Sequence, residues 1–360
     1  MHEIIQSWIE SGQRAILNNW ALLPRRVDHL STAPLMSSGA DSMVYYLIDE
    51  ENQPWVLKKY FPGREPDRVY LESVQYLVPK RRGFEAGYRG QQLWSTSASA
   101  LGYTDSEFLN WLDGTLIMPQ ILAPTWAELL ALITDGSALL SRVERLLLTQ
   151  KLSKMIETLE AAGLAHCNLS STSVMIDALN VEVDLIDWDN LFHASLEMPS
   201  NNSGGDDRYA PEFSKTDERE TNWRLRADRF ALSVLNVELL TASSGLNVEE
   251  RALPADDKKS ERKADRVREA LRRSFPAAVA FLDAARSAHD FSDCPSASAW
   301  IAFTEEELAR SDEAMWDETK ADPSENSSLY EVDYQAHFVK LNRSALVKLE
   351  RNRFVRAPAT

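Results

Sequence analysis

Cysteine is scarce: the 360 residues hold two, Cys167 and Cys294. One pair gives no disulfide framework, and neither residue sits in a CxxC-type ligand spacing, so a reducing compartment is expected. No apolar run approaches the ~20 residues that span a bilayer. The opening Met1-His2-Glu3-Ile4-Ile5-Gln6 lacks a basic stretch followed by an apolar one, so no secretory leader is read there and a cytoplasmic location is expected. Cations are in the minority, 39 Lys plus Arg against 55 Asp plus Glu, for a net charge of −16. So acidic a surface repels phosphate backbones and anionic lipid, which argues against nucleic acid and membrane as partners. The obvious local exception, Lys80-Arg81-Arg82, reads as a solvated loop. Internal repeats and low-complexity tracts are also missing.

What remains is an ordinary globular balance, 44% hydrophobic and 26% charged, in a chain long enough for two lobes. Ile5, Trp8, Ile9, Ile16, Leu17 and Trp20 recur at helical spacing, which predicts a helix from Ile4 to about Leu23, stopping before Pro24. Met43–Ile48 and Trp55–Phe61 flank the polar 49–54 connector and predict a hairpin. Residues 66–94 look helical, interrupted near Pro79. A second hairpin, Phe108–Leu112 and Thr115–Met118, is expected around Asp113-Gly114.

From Thr125 the pattern turns helical. Leu139 to Ala162 carries a broad apolar stripe that Gly163 terminates. A small β pair, 173–177 and 181–187, interrupts, and helices resume from Leu225 to about Leu308. The stretch from Val248 to Glu269 is dense in charge, as a solvated helix or a mobile insertion would be. A strand-rich first third and a helical remainder describe a two-lobed α+β protein. The expected divisions are a helical extension over 1–30, a small lobe over 31–121, a larger lobe over 122–310 and an extension over 311–360. That last part starts acidic and ends with an amphipathic stretch around Phe338–Leu341 and Leu346–Leu349.

Seven motifs then occur in a telling order. Ser37-Ser38-Gly39-Ala40-Asp41-Ser42-Met43-Val44 is similar to the Gly-rich loop G-x-G-x-x-G-x-V, whose small residues let backbone N–H groups approach phosphate oxygens. Trp55-Val56-Leu57-Lys58 resembles V-A-I-K. His166-Cys167-Asn168-Leu169 through Ser173-Val174-Met175 resembles the catalytic loop H-R-D-L-x-x-x-N-V-L, and Asp187-Trp188-Asp189 resembles D-F-G. Ala210-Pro211-Glu212 matches A-P-E, and Asp228 to Leu235 resembles D-x-W-S-L-G-V. Near the end of the span, Cys294-Pro295-Ser296-Ala297 through Trp300 resembles R-P-S-A-x-x-W. Over residues 35–305 the chain therefore resembles a bacterial Ser/Thr kinase-type domain. The resemblance implies a small antiparallel β-rich N-lobe and a larger α-helical C-lobe.

The resemblance also assigns sites. Ser37, Gly39, Ser42 and Val44 stand in the nucleotide-covering loop. Lys58 would meet the α- and β-phosphates, with Glu85, or else Glu72, as its helix partner. Asp187 and Ser173 stand at the Mg²⁺ positions, and Asp228 would brace the catalytic loop from behind rather than react. Departures are concentrated in the same places. The catalytic aspartate position holds Asn168, whose amide cannot accept a proton as a carboxylate does. Ser173 replaces the loop asparagine, a poorer ligand for a hard cation. Asp189 replaces glycine, and Cys294 replaces the arginine that would pair with Glu212, for which Arg208 is a nearby substitute.

These losses imply a pseudokinase, a regulatory or scaffolding protein that binds ATP–Mg and a protein partner without efficient phosphoryl transfer. The alternatives carried with it are an active atypical kinase or nucleotidyltransferase, with Asp184 or Asp189 supplying the carboxylate, and a scaffold without nucleotide. His166 is expected to be structural, and Cys167 to be no thiolate for want of nearby positive charge.

Overall fold

The structure, a computed structural model, describes residues 2–26, 33–39, 41–98, 102–199, 206–214, 222–242, 246 and 258–318. Ala40, residues 248–257 of the charge-dense stretch and the amphipathic Phe338–Leu349 region lie outside the described residues. The protein mixes α and β with an antiparallel sheet, in two compact units. One runs to Leu122 and takes in Pro199; the other holds Ala123–Met198 and the described residues from 206 to 318.

The first unit is built on a sheet of β1 (Ala15–Leu17), β2 (Trp20–Pro24), β3 (Met36–Ser38), β4 (Ser42–Ile48), β5 (Pro54–Tyr60), β6 (Gln91–Leu93) and β7 (Thr115–Pro119). Its order is β1-β2-β4-β5-β7-β6, with β3 also paired to β4. The expected hairpin of β4 and β5 is present, with Val44 opposite Lys58 and Tyr45 opposite Leu57. Along β5 the side chains of Trp55 and Leu57 are buried on one face and those of Lys58 and Tyr60 on the other, as the two-residue period of a strand requires.

The helix expected from Ile4 to Leu23 ends early: α1 spans His2–Ser11. Gly12, at φ +63°, turns the chain out of it, and Asn18 and Asn19, at φ +46° and +74°, close a two-residue hairpin pairing Leu17 with Trp20. Asparagine tolerates that backbone region. The apolar residues serve a strand pair as well as a helix face, and tertiary packing decided: Leu17 and Leu22 join Ile5, Trp8 and Ile9 in one core with Leu57, Phe108 and Ile117. The outer side of β1 is occupied too. Leu17 bridges Ala98, Asn18 N–H donates to the Ser97 carbonyl at 3.1 Å, and Asn18 Nδ2 reaches Gln91 Oε1 at 3.2 Å.

A second difference concerns Phe108–Leu112, expected as strand but folded within α4 (Ser106–Leu112), because Asp105 caps that helix by accepting the N–H groups of Glu107 and Phe108. The remaining helices of this unit are α2 (Arg68–Leu77), capped by Asp67, and the single turn α3 (Glu85–Tyr88).

The second unit is mainly helical. Helix α5 (Trp126–Thr134) and helix α6 (Arg142–Ala161) both begin with capping boxes, Thr125 with Glu128 and Ser141 with Glu144. Gly163, at φ +73°, ends α6 where the sequence indicated. Next come β8 (Val174–Asp177) and β9 (Glu182–Leu185), an antiparallel pair, and helices α7 (Asp228–Leu240), α8 (Lys258–Ser274), α9 (Ala278–Ser287) and α10 (Ala297–Glu318). Almost every side chain of α7 is buried, so it is the axis on which this unit packs. Among the described residues, no helix is long and apolar enough to cross a membrane.

Candidate functional site

In the second unit the loop after α6 is held from behind by one carboxylate. Asp228, at the start of α7, accepts the backbone N–H of His166 at 2.6 Å and of Cys167 at 2.9 Å. It is 2% exposed. Burial raises its carboxyl above the ordinary aspartate range, against the lowering pull of His166 and the two N–H donors. Those bonds are what hold Cys167 at φ +58°, a backbone region a non-glycine residue enters only under constraint.

The His166 side chain makes the next link. Its Nε2 lies 2.8 Å from the Ile186 carbonyl and must carry the hydrogen, and its ring packs against Trp188 at 4.9 Å. Trp188 in turn donates Nε1–H to the Leu185 carbonyl. The Ile186 N–H donates to the Ser173 carbonyl at 3.0 Å. Asp187, between Ile186 and Trp188, sits at φ +62°, ψ +58°, so its carboxylate leaves the strand direction at a sharp, fixed turn. His166 therefore has the structural place expected of it.

Ser173 closes the loop on itself. Its Oγ accepts the Ser170 N–H at 2.9 Å and faces the carbonyls of Asn168 and Ser170 at 3.0 and 3.2 Å, in a residue 1% exposed. Any role as a metal ligand competes with these bonds. Asn168 is half-buried and lines an open pocket with Leu169, Asp206, Tyr209, Asn222 and Phe291. Cys167 is buried, and burial first, Asp228 second, pushes its thiol well up, so it is no thiolate nucleophile. Cys294 is likewise pushed up to about 12 by burial.

One residue that the sequence reading passed over joins this unit. Glu238, 4% exposed on α7, accepts Trp126 Nε1–H at 2.8 Å and the Tyr209 hydroxyl at 3.1 and 3.2 Å. A glutamate inside the apolar run Phe230–Leu240 was the available signal, since a buried carboxylate needs donors. Arg208, considered for Glu212, bonds Asp206 at 2.9 Å instead; Glu212 is exposed. Arg229 and Glu160 form a bidentate pair at 2.7 and 2.8 Å that ties α7 to α6.

In the first unit Ser37 pairs with Val44 across β3 and β4, and Gly39 N–H donates to the Ser42 carbonyl at 2.9 Å, which makes a tight turn of the 37–44 stretch. Ser37 Oγ meets the Tyr46 hydroxyl at 3.3 Å. Lys58, 7% exposed, carries its Nζ 5.2 Å from the centre of the Tyr60 ring, a contact that stabilises a desolvated cation. Glu85 accepts the Gly83 N–H at 2.7 Å, in the loop just ahead of α3, and Glu72 pairs with Arg68 at 2.7 Å.

Mg²⁺ is usually held by one or two carboxylates with phosphate oxygens completing its shell. Among the described residues no group of three or more His, Cys, Asp or Glu could form an all-protein site. Asp187 fits the one-carboxylate pattern, which binds metal only together with phosphate. Compared with protein-family models and with curated proteins, the chain matches none.

Proposed function

We propose that the chain is a two-lobed, protein-kinase-like pseudokinase that binds ATP–Mg as a conformational ligand and acts through a protein partner. The observation that carries the reading is the pair of hydrogen bonds that Asp228 accepts from the backbone N–H groups of His166 and Cys167, immediately before Asn168. A loop braced in this way holds the residue at 168 in a set position, as phosphoryl transfer needs for the group that orients the attacking hydroxyl. The brace is present and the carboxylate is not, which supports a fold kept after its transfer chemistry was lost. An amide at 168 offers donors where the hydroxyl proton needs an acceptor. Asp187 would hold the metal and Lys58 the phosphates; bound nucleotide would shift the chain toward the state its partner recognises.

The test is a thermal-shift titration with ATP and Mg²⁺, paired with incorporation assays using γ- and α-labelled ATP. ATP–Mg is expected to raise Tm in the wild type and not in Asp187→Ala, with no label incorporated. Absence of any shift removes the nucleotide from the proposal. Incorporation of either label that Asp187→Ala abolishes replaces it with the active transferase.

A further inference from the structure

The loop that Asp228 braces carries one polar side chain with no bond of its own. Among the described residues the Asn168 amide has no hydrogen-bond partner; only its backbone carbonyl is taken, by Ser173 Oγ. A primary amide brings two N–H donors and a carbonyl oxygen with two lone pairs, and Asn168 lines an open pocket.

The walls of that pocket set what enters it. Leu169, Pro211 and Phe291 are buried and apolar, and the charged lining residues, Asp206 and Asp228, are both acids. Asp228 has each oxygen on a loop N–H, and the Tyr209 hydroxyl is held by Glu238. Asp206 keeps capacity. It accepts the Arg208 N–H and Nε–H through Oδ1 and Nη2–H through Oδ2, three bonds where a carboxylate takes about four. Burial works to raise its carboxyl, but the bonds from Arg208 outweigh burial and hold it below the ordinary aspartate range, so it is charged at neutral pH. Arg224, stacked on Phe291 at 4.9 Å, pairs with Asp290 at 3.6 Å, which offsets the cation nearest the rim. The pocket therefore repels an anion and draws a cation. Its enclosed part is about 20 Å³, room for one group the size of a water molecule. An ammonium is that compact and a planar guanidinium is not.

Given the pseudokinase reading, on which this rests, we propose that the pocket beside Asn168 takes a lysine side chain of the protein partner. The ammonium donates to Asp206 and to the Asn168 amide oxygen, and the four-carbon stem lies along Leu169, Pro211 and Phe291, as an amphipathic side chain does on an apolar wall. The Asn168 NH₂ group is left to donate to a backbone carbonyl of the same segment. The net charge of −16 favours approach of such a basic segment over longer range.

The probe is a capped pentapeptide with lysine at its centre and glycine elsewhere, set against the same peptide with acetyl-lysine or arginine. None carries a hydroxyl, so phosphoryl transfer cannot intrude. The side-chain NH₂ signals of the intact chain, labelled with ¹⁵N at asparagine, are followed by NMR, and the Asn168 pair is identified by its loss in Asn168→Gln. The lysine peptide should move that pair with a Kd on the order of a millimolar. The arginine and acetyl-lysine peptides should bind at least about tenfold more weakly. Asp206→Asn should weaken lysine binding about tenfold. Because that change also breaks the bonds to Arg208, a second variant reads the opposite sign: Arg208→Gln frees the carboxylate and should tighten binding several-fold, which a merely structural Asp206 does not do. Equal binding of the lysine and arginine peptides, or shifts only at asparagines remote from 168, overturns the proposal in favour of general attraction to an acidic surface. Acetyl-lysine binding as tightly as lysine, no binding by any peptide, or an affinity unchanged in both variants overturns it outright. Lysine binding in a chain that ATP–Mg does not stabilise upholds the pocket and withdraws the nucleotide; stabilisation by ATP–Mg without lysine binding does the reverse.

Discussion

Asp228 accepts the backbone N–H of His166 at 2.6 Å through a carboxylate almost wholly removed from water, and its other oxygen takes the N–H of Cys167. Asp228→Asn puts an NH₂ group against one of those donors. A buried N–H left without an acceptor costs about 1–3 kcal/mol, and chemical denaturation should show a loss of that size. Asp228→Ala, which orphans both donors, should lose more.

The same carboxyl gives a pH dependence of known sign. Its pKa is raised, chiefly by burial, so the folded chain binds this proton more tightly than the unfolded chain. Its contribution is fully present below the ordinary aspartate value of about 4 and is lost as pH rises through the raised value. Because Asp228→Asn has no such proton, the Tm of the wild type relative to that variant should fall as pH rises from about 4 toward neutrality. A constant difference across that range would show that Asp228 does not titrate with folding.

Ser173→Ala tests whether the hydroxyl serves the loop. It removes an acceptor for the Ser170 N–H and a donor to the Asn168 carbonyl. Without metal or nucleotide the variant should be less stable by about 1–2 kcal/mol. Unchanged stability in that state would return Ser173 to a ligand role only.

Val181 holds φ +51° in the turn from β8 to β9. A β-branched residue is strained there, and glycine is not. Val181→Gly should therefore raise stability by about 1 kcal/mol in a denaturant titration, an unusual direction for a substitution that removes an aliphatic side chain.

Gly102 faces the opposite constraint. A Cβ at this position would lie 2.7 Å from both the Arg14 carbonyl oxygen and the Ile16 nitrogen, which are backbone atoms and cannot swing aside. Gly102→Ala should cost about 1–3 kcal/mol, with hydrogen exchange in β1 accelerated more than in β5.

Where local signals and tertiary packing agree, the fold was legible in the sequence. The stripe from Leu146 to Leu159 and the glycine that ends it predict α6, and the alternation either side of 49–54 predicts β4 and β5. Asp228 was expected behind the loop, and it is there. Residues 15–24 were misread because Ile16, Leu17 and Trp20 suit a helix face and a hairpin equally. The Asn18-Asn19 pair, which accepts positive φ, was the better witness. Phe108 to Leu112 failed for a related reason: five apolar-rich residues have no decisive period, and the cap at Asp105 settles them as helix. Glu238 itself stood out as a glutamate in an apolar run, but its donors, Trp126 and Tyr209, were not legible because they lie 112 and 29 residues away in sequence.

The covered outer side of β1 has a consequence for assembly. A strand at the rim of a sheet normally offers unpaired N–H and C=O groups to any passing chain, yet here Ser97 and Ala98 already take up Asn18 and Leu17. The rim is closed by residues about eighty positions apart, so a nascent chain keeps it open until that later segment emerges. The first two dozen residues then act as a guard against strand invasion and polymer growth. A chain shortened to begin at Arg25 is expected to form oligomers in size-exclusion chromatography that the intact chain does not.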